Sequence, residues 1–365
     1  MNIAIDVRPA LSSATGVGVY LLNLVQALSQ LDQENEYHLF SSSWKERFPS
    51  KYFGRNFYIH DHHWPVRLLN YSWHHLSRPS IETLLGIPID VAHSPTPLLI
   101  PSRQAHRVTM VHDLYFYFHP EHAVREMQAD YSSLLQQHCM KSDAILTDAE
   151  YTKQLLVEHL KVPSSKIYSI RLAVDPYYLE RVAESDIEKV KVKFGICSPY
   201  FLFVGALEPR KNLSILLKAF QDFPGDSSLV LAGPDGWGSQ EWKQLLTQRV
   251  VQTGYMDQND LRALYQGAIA LVLPSVEEGF GFPVLEAMAS EIPVLASRIP
   301  IFQEIGGEAL LAFESNQVED LRAAMGKICS DPQLRQDFVT RGKERVKRFS
   351  WLETAQKTLD IYRNL

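Results

Sequence analysis

Short apolar runs alternate with segments whose apolar residues recur at helical spacing, and the alternation occurs in two series along the chain. In the first series, residues 3–7, 37–40, 91–93, 108–112 and 144–147 read as strands, 15–18 as a loop, and 19–31 and 151–159 as helices. The second series starts at Tyr200. Its strands are 201–205, 229–233, 250–254, 269–274, 293–296 and 309–313, with helices over 213–220, 260–267 and 283–290. Residues 317–362 carry a helical pattern throughout. Continuous apolar strands linked by helices predict βαβ units and mostly parallel sheets covered on both faces. The expected fold class is α/β, with two doubly wound, Rossmann-like domains. Residues 175–198 are charged and weakly periodic, which places a junction there. The expected organisation is an N-terminal domain over 1–175, a linker over 176–198 and a C-terminal domain over 199–348. A final helix over 349–365 is expected to pack back on the first domain.

Composition narrows the field. A chain of 365 residues, 45% hydrophobic and 21% charged, suits a soluble protein with two cores. Its net charge of −6 argues against a general nucleic-acid binder, which needs a basic footprint. Cys139, Cys197 and Cys329 are too far apart for a C-x-x-C zinc site and odd in number, so a reducing cytoplasm is expected. The N-terminus reads as a strand, not as a signal peptide. No apolar run reaches the ~20 residues that span a bilayer, which leaves peripheral contact at the inner face of a membrane. All 13 histidines lie at or before His159, so the two halves differ in task.

Ligands of open α/β sheets bind beyond the carboxyl ends of the strands, so the loops after strands carry the chemistry. The most informative runs Pro274-Ser275-Val276-Glu277-Glu278-Gly279-Phe280-Gly281-Phe282-Pro283-Val284-Leu285-Glu286. Its glycines allow close backbone approach, and Pro283 opens a helix whose N-terminus seats an anion. Glu278 and Glu286 can accept hydrogen bonds from sugar or ribose hydroxyls; a plain glycine turn with a capping glutamate is the structural alternative. After the first strand of the second series, Glu208-Pro209-Arg210-Lys211 offers two cations for a diphosphate, or a solvated surface pair. Thr15-Gly16-Val17-Gly18 begins like a dinucleotide fingerprint, but Leu21 stands where the third glycine belongs. His112 ends a strand and is a candidate for sugar contact or proton transfer, with a packed histidine as the alternative. His60-Asp61-His62-His63 looks metal-like but lies in an aromatic stretch without a clear scaffold, and no Asp-x-Asp clamp occurs. Neither a metal nor a resident cofactor is expected.

Taken in order, these motifs resemble the retaining glycosyltransferases of family 4, which have the GT-B fold: two Rossmann-like domains facing a central cleft. The resemblance covers nearly the whole chain. Glu278 and Glu286 fit the family's E-x7-E motif, and Gly205 through Leu213 fits its diphosphate segment. Gly254-Tyr255-Met256 with the helix that follows is similar to the base-binding segment, and Phe349-Ser350-Trp351 fits the terminal one. The likeness is greatest to bacterial mannosyltransferases of polysaccharide assembly. Ser297-Arg298-Ile299-Pro300-Ile301-Phe302 departs from the family's small-residue loop on the nucleotide side.

The resemblance implies roles. Arg210 and Lys211 would pair with the donor diphosphate, and Glu286 would bind the ribose. Glu278, with the backbone of Gly279, Phe280 and Gly281, would hold the transferred sugar. His112 would sit near its reacting face, Gly16 and Gly18 near phosphate and acceptor, and Gly254 and Tyr255 beside the base. The implied activity is transfer of a hexose, such as mannose, from a GDP- or UDP-linked donor to a hydroxyl of a glycan or lipid-linked acceptor. A sugar-nucleotide-binding protein without transfer activity, a sugar-nucleotide epimerase and a nicotinamide-dependent oxidoreductase are the competing readings.

Overall fold

The structure is a computed structural model that describes residues 1–11, 16–48, 53–122, 131–197, 199–236 and 241–365. The chain divides into two compact units, Met1–Leu172 with Ser350–Leu365, and Ala173–Phe349.

The first unit holds a seven-stranded sheet of β1 (Asn2–Asp6), β2 (Glu36–Ser42), β3 (Phe57–His62), β4 (Val91–Ser94), β5 (His106–Val111), β6 (Ala144–Thr147) and β7 (Ile167–Ser169). The spatial order is β3-β2-β1-β4-β5-β6-β7, and every pairing is parallel. Ile3 and Ile5 of β1 align with Tyr37 and Leu39 on one side and with Val91 and His93 on the other. Ile3, Ala4 and Ile5 are fully buried, as a central parallel strand covered on both faces requires. Helix Gly16–Leu31 buries Leu21, Leu24, Val25 and Leu28, spaced to line one face. Helix Trp351–Arg363 packs against it. That last helix is capped by Ser350, whose hydroxyl accepts from the Glu353 N–H.

The second unit holds six parallel strands: β8 (Tyr200–Val204), β9 (Ser228–Ala232), β10 (Val250–Gly254), β11 (Ala270–Leu273), β12 (Val294–Ser297) and β13 (Leu310–Phe313). Their order is β10-β9-β8-β11-β12-β13. Both sheets are thus doubly wound, with chain order reversing between β1 and β4 in one and between β8 and β11 in the other. The helical stretch near the C-terminus resolves into Val318–Ser330, Pro332–Val346 and Trp351–Arg363.

Several sequence expectations change. The first helix starts at Gly16, not Val19, so Gly16 and Gly18 belong to its first turn and not to a loop. Thr15 lies outside the described residues. The expected linker over 176–198 carries a 3-10 turn, Pro176–Leu179, and helix Glu184–Phe194, which packs on helix Gln258–Gly267 inside the second unit. Two strands went unseen. β3 is an edge strand whose Tyr58 and Ile59 are exposed, so its pattern is mixed, and β7 is only three residues long. His60, Asp61 and His62 lie along β3, where successive side chains point to opposite faces. His60 shares a hydrogen bond with His38 of β2 at 3.1 Å. Among the described residues no group of three or more His, Cys, Asp or Glu side chains gathers as a metal cage would. Nor is any described helix long and apolar enough to cross a membrane.

Candidate active site

In the second unit the loops after β8 and β11 leave adjacent strands at the point where chain order reverses. That is where a doubly wound sheet opens a crevice. The loops are tied together: the Val276 N–H donates to the Arg210 carbonyl at 2.9 Å. A 3-10 turn, Pro209–Lys211, sets the two cations on that edge.

Four charged side chains converge there. Lys211 Nζ donates to Glu278 Oε1 at 2.6 Å, and Arg210 Nη1 to Glu278 Oε2 at 2.6 Å. Ser275 Oγ adds a third bond to Glu278 Oε1 at 2.7 Å. Arg210 Nε donates to Glu208. Glu208, Lys211 and Glu278 are all buried. Burial alone would raise the Glu278 pKa, but Lys211 and Arg210 outweigh it and hold the carboxyl at about 2. Burial pulls the Lys211 ammonium below its usual range, against the pull of Glu278. Burial likewise lifts Glu208, against Arg210. Three of the predicted site residues, Arg210, Lys211 and Glu278, are therefore in direct contact, with Glu208 and Ser275 as partners that sequence reading missed. Glu208 lies inside the motif itself, two residues before Arg210.

The loop ends in helix Phe282–Ala289, with Pro283 in its first turn and Gly281 preceding it at φ 93°. A side chain at Gly281 would be strained by that φ, and its Cβ would come within 3.2 Å of the Phe302 ring. Gly279 and Phe280 are buried beside it. Glu286 on this helix accepts a hydrogen bond from Tyr265 Oη at 2.7 Å. Burial pushes its carboxyl up to about 7, with the Tyr265 bond opposing and Asp175 adding to the rise. Glu286 is thus apart from the Glu278 bonding network, on the same helix-and-loop segment. At the end of β10, Gly254 adopts φ 68° and Tyr255 is 61% exposed, a ring open to a flat partner.

The first unit presents a different centre. His112 directly follows β5, and its Nδ1 faces Asp148 Oδ2 at 2.7 Å while Nε2 faces the Pro95 carbonyl at 3.2 Å. Both ring nitrogens face acceptors, and only the imidazolium can donate to both. Burial lowers the His112 pKa, but the Asp148 charge and hydrogen bond, Asp113 and the Pro95 carbonyl together raise it above the ordinary histidine range. Asp148 directly follows β6, so the strand-end rule that marked His112 also marks it. The ring of Tyr20 meets that of His112 edge-on at 5.2 Å, and Tyr20 Oη lies 3.5 Å from His93 Nε2. His93 Nδ1 in turn bonds Tyr362 of the last helix. Desolvation holds His93 near pKa 3, so it is neutral, and Nδ1 and Nε2 act as one donor and one acceptor. Gly18 is buried and Gly16 exposed on the first turn of helix Gly16–Leu31.

Residues 14–177 match the sequence family described as Glycosyltransferase Family 4, and residues 186–345 the family described as Glycosyl transferases group 1. The chain is a glycosyltransferase with a family 4 domain followed by a group 1 domain. An "O-antigen chain mannosyltransferase B" of Escherichia coli is 28% identical over 388 residues, spanning 100% of both chains. Among solved structures, a sucrose-phosphate synthase from Thermosynechococcus elongatus superposes with a TM-score of 0.79 at 20% identity. The match takes in 100% of this chain and 98% of that one. HepE of Anabaena, solved in complex with UDP and glucose, superposes at 0.75 and 16% identity over 100% of both chains. The two doubly wound units are the Rossmann-like domains of the GT-B fold. In this glycosyltransferase their strand ends differ: four linked charged side chains in the second unit, and histidine, aspartate and tyrosine side chains in the first.

Proposed function

We propose that this glycosyltransferase moves mannose from GDP-mannose to a hydroxyl of a glycan or lipid-linked acceptor, retaining the anomeric configuration. The observation that carries the reading is the pair of the half-buried Arg210 and the buried Lys211, both held by Glu278 where chain order reverses in the second sheet. Two fixed cations beside the N-terminus of helix Phe282–Ala289 suit a nucleoside diphosphate as it leaves. Glu286 takes the ribose hydroxyls, and Tyr255 lies beside the base. Glu278, with the backbone of Gly279, Phe280 and Gly281, takes the hexose. His112, hydrogen-bonded to Asp148, and Gly16 and Gly18 belong to the first unit and are assigned to the acceptor. No side-chain nucleophile is assigned, and the transfer is written as front-face attack, the leaving phosphate accepting the acceptor proton. The Arg210–Lys211 pair supplies the neutralisation of the diphosphate, and no resident metal or cofactor is assigned. Mannose is favoured by the name of the E. coli relative. The UDP in HepE makes a UDP-linked donor the alternative to test. The free cysteines Cys139, Cys197 and Cys329 accord with a reducing cytoplasm, at the inner face of the membrane where a lipid-linked acceptor would lie.

The test is a melting panel with GDP-mannose, UDP-glucose, UDP-N-acetylglucosamine, GDP, UDP and NAD, followed by transfer assays with the donor that binds. A ligand bound only by the folded protein raises Tm by mass action. GDP-mannose and GDP should raise it, and the product glycoside should be α. A rise with NAD alone would overturn the reading. Binding without transfer would make this a sensor, and donor conversion without acceptor an epimerase.

A further inference from the structure

A cavity of about 440 Å³ opens in the second unit between helix Pro332–Val346 and the turn that leads into β13. One wall is that turn, Gly307–Ala309, with Gly306 of helix Pro300–Gly306 before it. The loops that carry Arg210 and Glu278 leave the carboxyl ends of their strands, whereas this cavity borders the amino end of β13. All six strands run parallel, so the two places lie at opposite edges of one sheet.

Positive charge is concentrated here. Residues 332–348 carry six cations and two carboxylates, in a chain whose net charge is −6. Arg341, Arg345 and Arg348 follow one another at spacings of four and three, which sets them on one helix face, and all three line the cavity. Arg345 is fixed. Its Nε donates to the Ile305 carbonyl at 2.7 Å and its Nη2 to the Glu304 carbonyl at 2.6 Å, and the guanidinium lies 5.6 Å from the centroid of the Phe349 ring. Those bonds also cover the negative end of helix Pro300–Gly306, which would otherwise repel an anion. Gly307, at φ 55°, puts bare backbone beside this guanidinium: a Cβ there would lie 3.8 Å from Cζ. Arg341 bonds Asp337 at 2.6 Å and reaches the Glu308 carbonyl at 3.4 Å. The Arg348 guanidinium has no bonding partner among the described residues.

The chemistry of these groups selects the ligand. A cation would be repelled, and a neutral ligand would leave the excess charge unanswered. A phosphate group brings up to about two negative charges and three acceptor oxygens, enough for several guanidinium forks at once, where a carboxylate offers two oxygens and one charge. Glu308 and Glu344 also line the cavity, and Lys347 pairs with Glu344 at 2.6 Å. We propose that this cavity binds a phosphate group through Arg341, Arg345 and Arg348, at a site separate from the one assigned to the donor diphosphate. Its two sources are a soluble phosphate ester and the headgroup of an anionic lipid, and the test separates them. The proposal does not rest on the transfer reaction.

The probe is inorganic phosphate, titrated at constant ionic strength into the full, isotope-labelled chain and followed by NMR. The Gly307 and Thr340 amides report the cavity, and those of Gly279 and Gly281 report the loop after β11, so the two sites are read apart. Gly307 and Thr340 should shift to saturation, with acetate at least fivefold weaker. A double variant, Arg341→Gln with Arg348→Gln, changes two solvent-reached side chains, and its melting curve checks the fold. It should weaken phosphate at Gly307 and Thr340 at least fivefold and leave the response of Gly279 and Gly281 unchanged. Silence at Gly307 and Thr340, an equal response to acetate, or unchanged phosphate affinity in the variant would overturn the assignment. Sedimentation with vesicles of phosphatidylglycerol and phosphatidylcholine, against phosphatidylcholine alone, identifies the source. Binding to the anionic vesicles that falls at least fivefold in the variant assigns the site to a headgroup. A saturable phosphate response without vesicle binding, or with vesicle binding that the variant leaves unchanged, assigns it to a soluble phosphate ester.

Discussion

The two units share an architecture and differ in how they keep polar groups at their strand ends. In the second, Glu208, Arg210, Lys211 and Glu278 come from two neighbouring loops and bond to one another directly. In the first, His112 pairs with Asp148, while Tyr20, His93 and Tyr362 form a neutral chain beside them. Burying a lone cation is costly, so a buried Lys211 needs a carboxylate while no ligand is bound. Glu278 fills that place and leaves the cations oriented. The second unit therefore keeps its charges in a linked cluster, whereas the first sets one His–Asp pair beside neutral donors and acceptors held by packing.

That contrast can be broken at three points. Lys211→Ala should have the largest effect, lowering turnover by about 10²–10³-fold. Arg210 and Ser275 still hold Glu278 in this variant, so the fold should persist in a melting curve; near-normal turnover would remove the charge asymmetry between the units. Asp148→Asn should lower turnover by roughly tenfold, the ~1.4 kcal/mol of a lost charged partner. It should also move the His112 titration down. The raised His112 pKa means that its contribution to stability is complete below the unfolded histidine range and fades as pH climbs through the folded value. The variant's pH profile should lose that feature, and an unshifted histidine resonance would refute the pairing. Glu286→Gln should act on stability alone in the ligand-free protein. The folded carboxyl keeps its proton to about pH 7, while an unfolded glutamate loses it near ~4.3. The folded state therefore loses stability as pH rises between those values. The variant should melt about 2–4 °C above the parent at pH 8 and close to it at pH 4.5. An equal gain at both would mean that the carboxyl is already ionised.

The same contrast explains what could be read from the chain. The Arg210–Lys211 and Glu278–Glu286 segments are short and contiguous, and each follows an apolar strand, so spacing and strand-end position exposed them. The His112–Asp148 pair spans 36 residues and the His93–Tyr362 bond 269, separations that no local pattern encodes. β3 escaped notice because His60, Asp61 and His62 interrupt the apolar signal of an edge strand whose outer face needs none. The first turn of helix Gly16–Leu31 is masked in the sequence because Gly16 and Gly18 read as loop residues. Helix Glu184–Phe194 carries a weak periodic signal because only Ile187 and Val190 of it are buried.

The last helix has a further consequence. Trp351–Arg363 lies in the first unit, yet all of Ala173–Phe349 forms the second. The second unit is thus an insertion in the sequence of the first. On the ribosome the later-starting unit has its whole sequence first, while helix Gly16–Leu31 waits with its apolar face uncovered and His93 without Tyr362. A chain halted at Phe349 would leave synthesis with a complete second unit and an unfinished first one carrying His112, a natural substrate for chaperones.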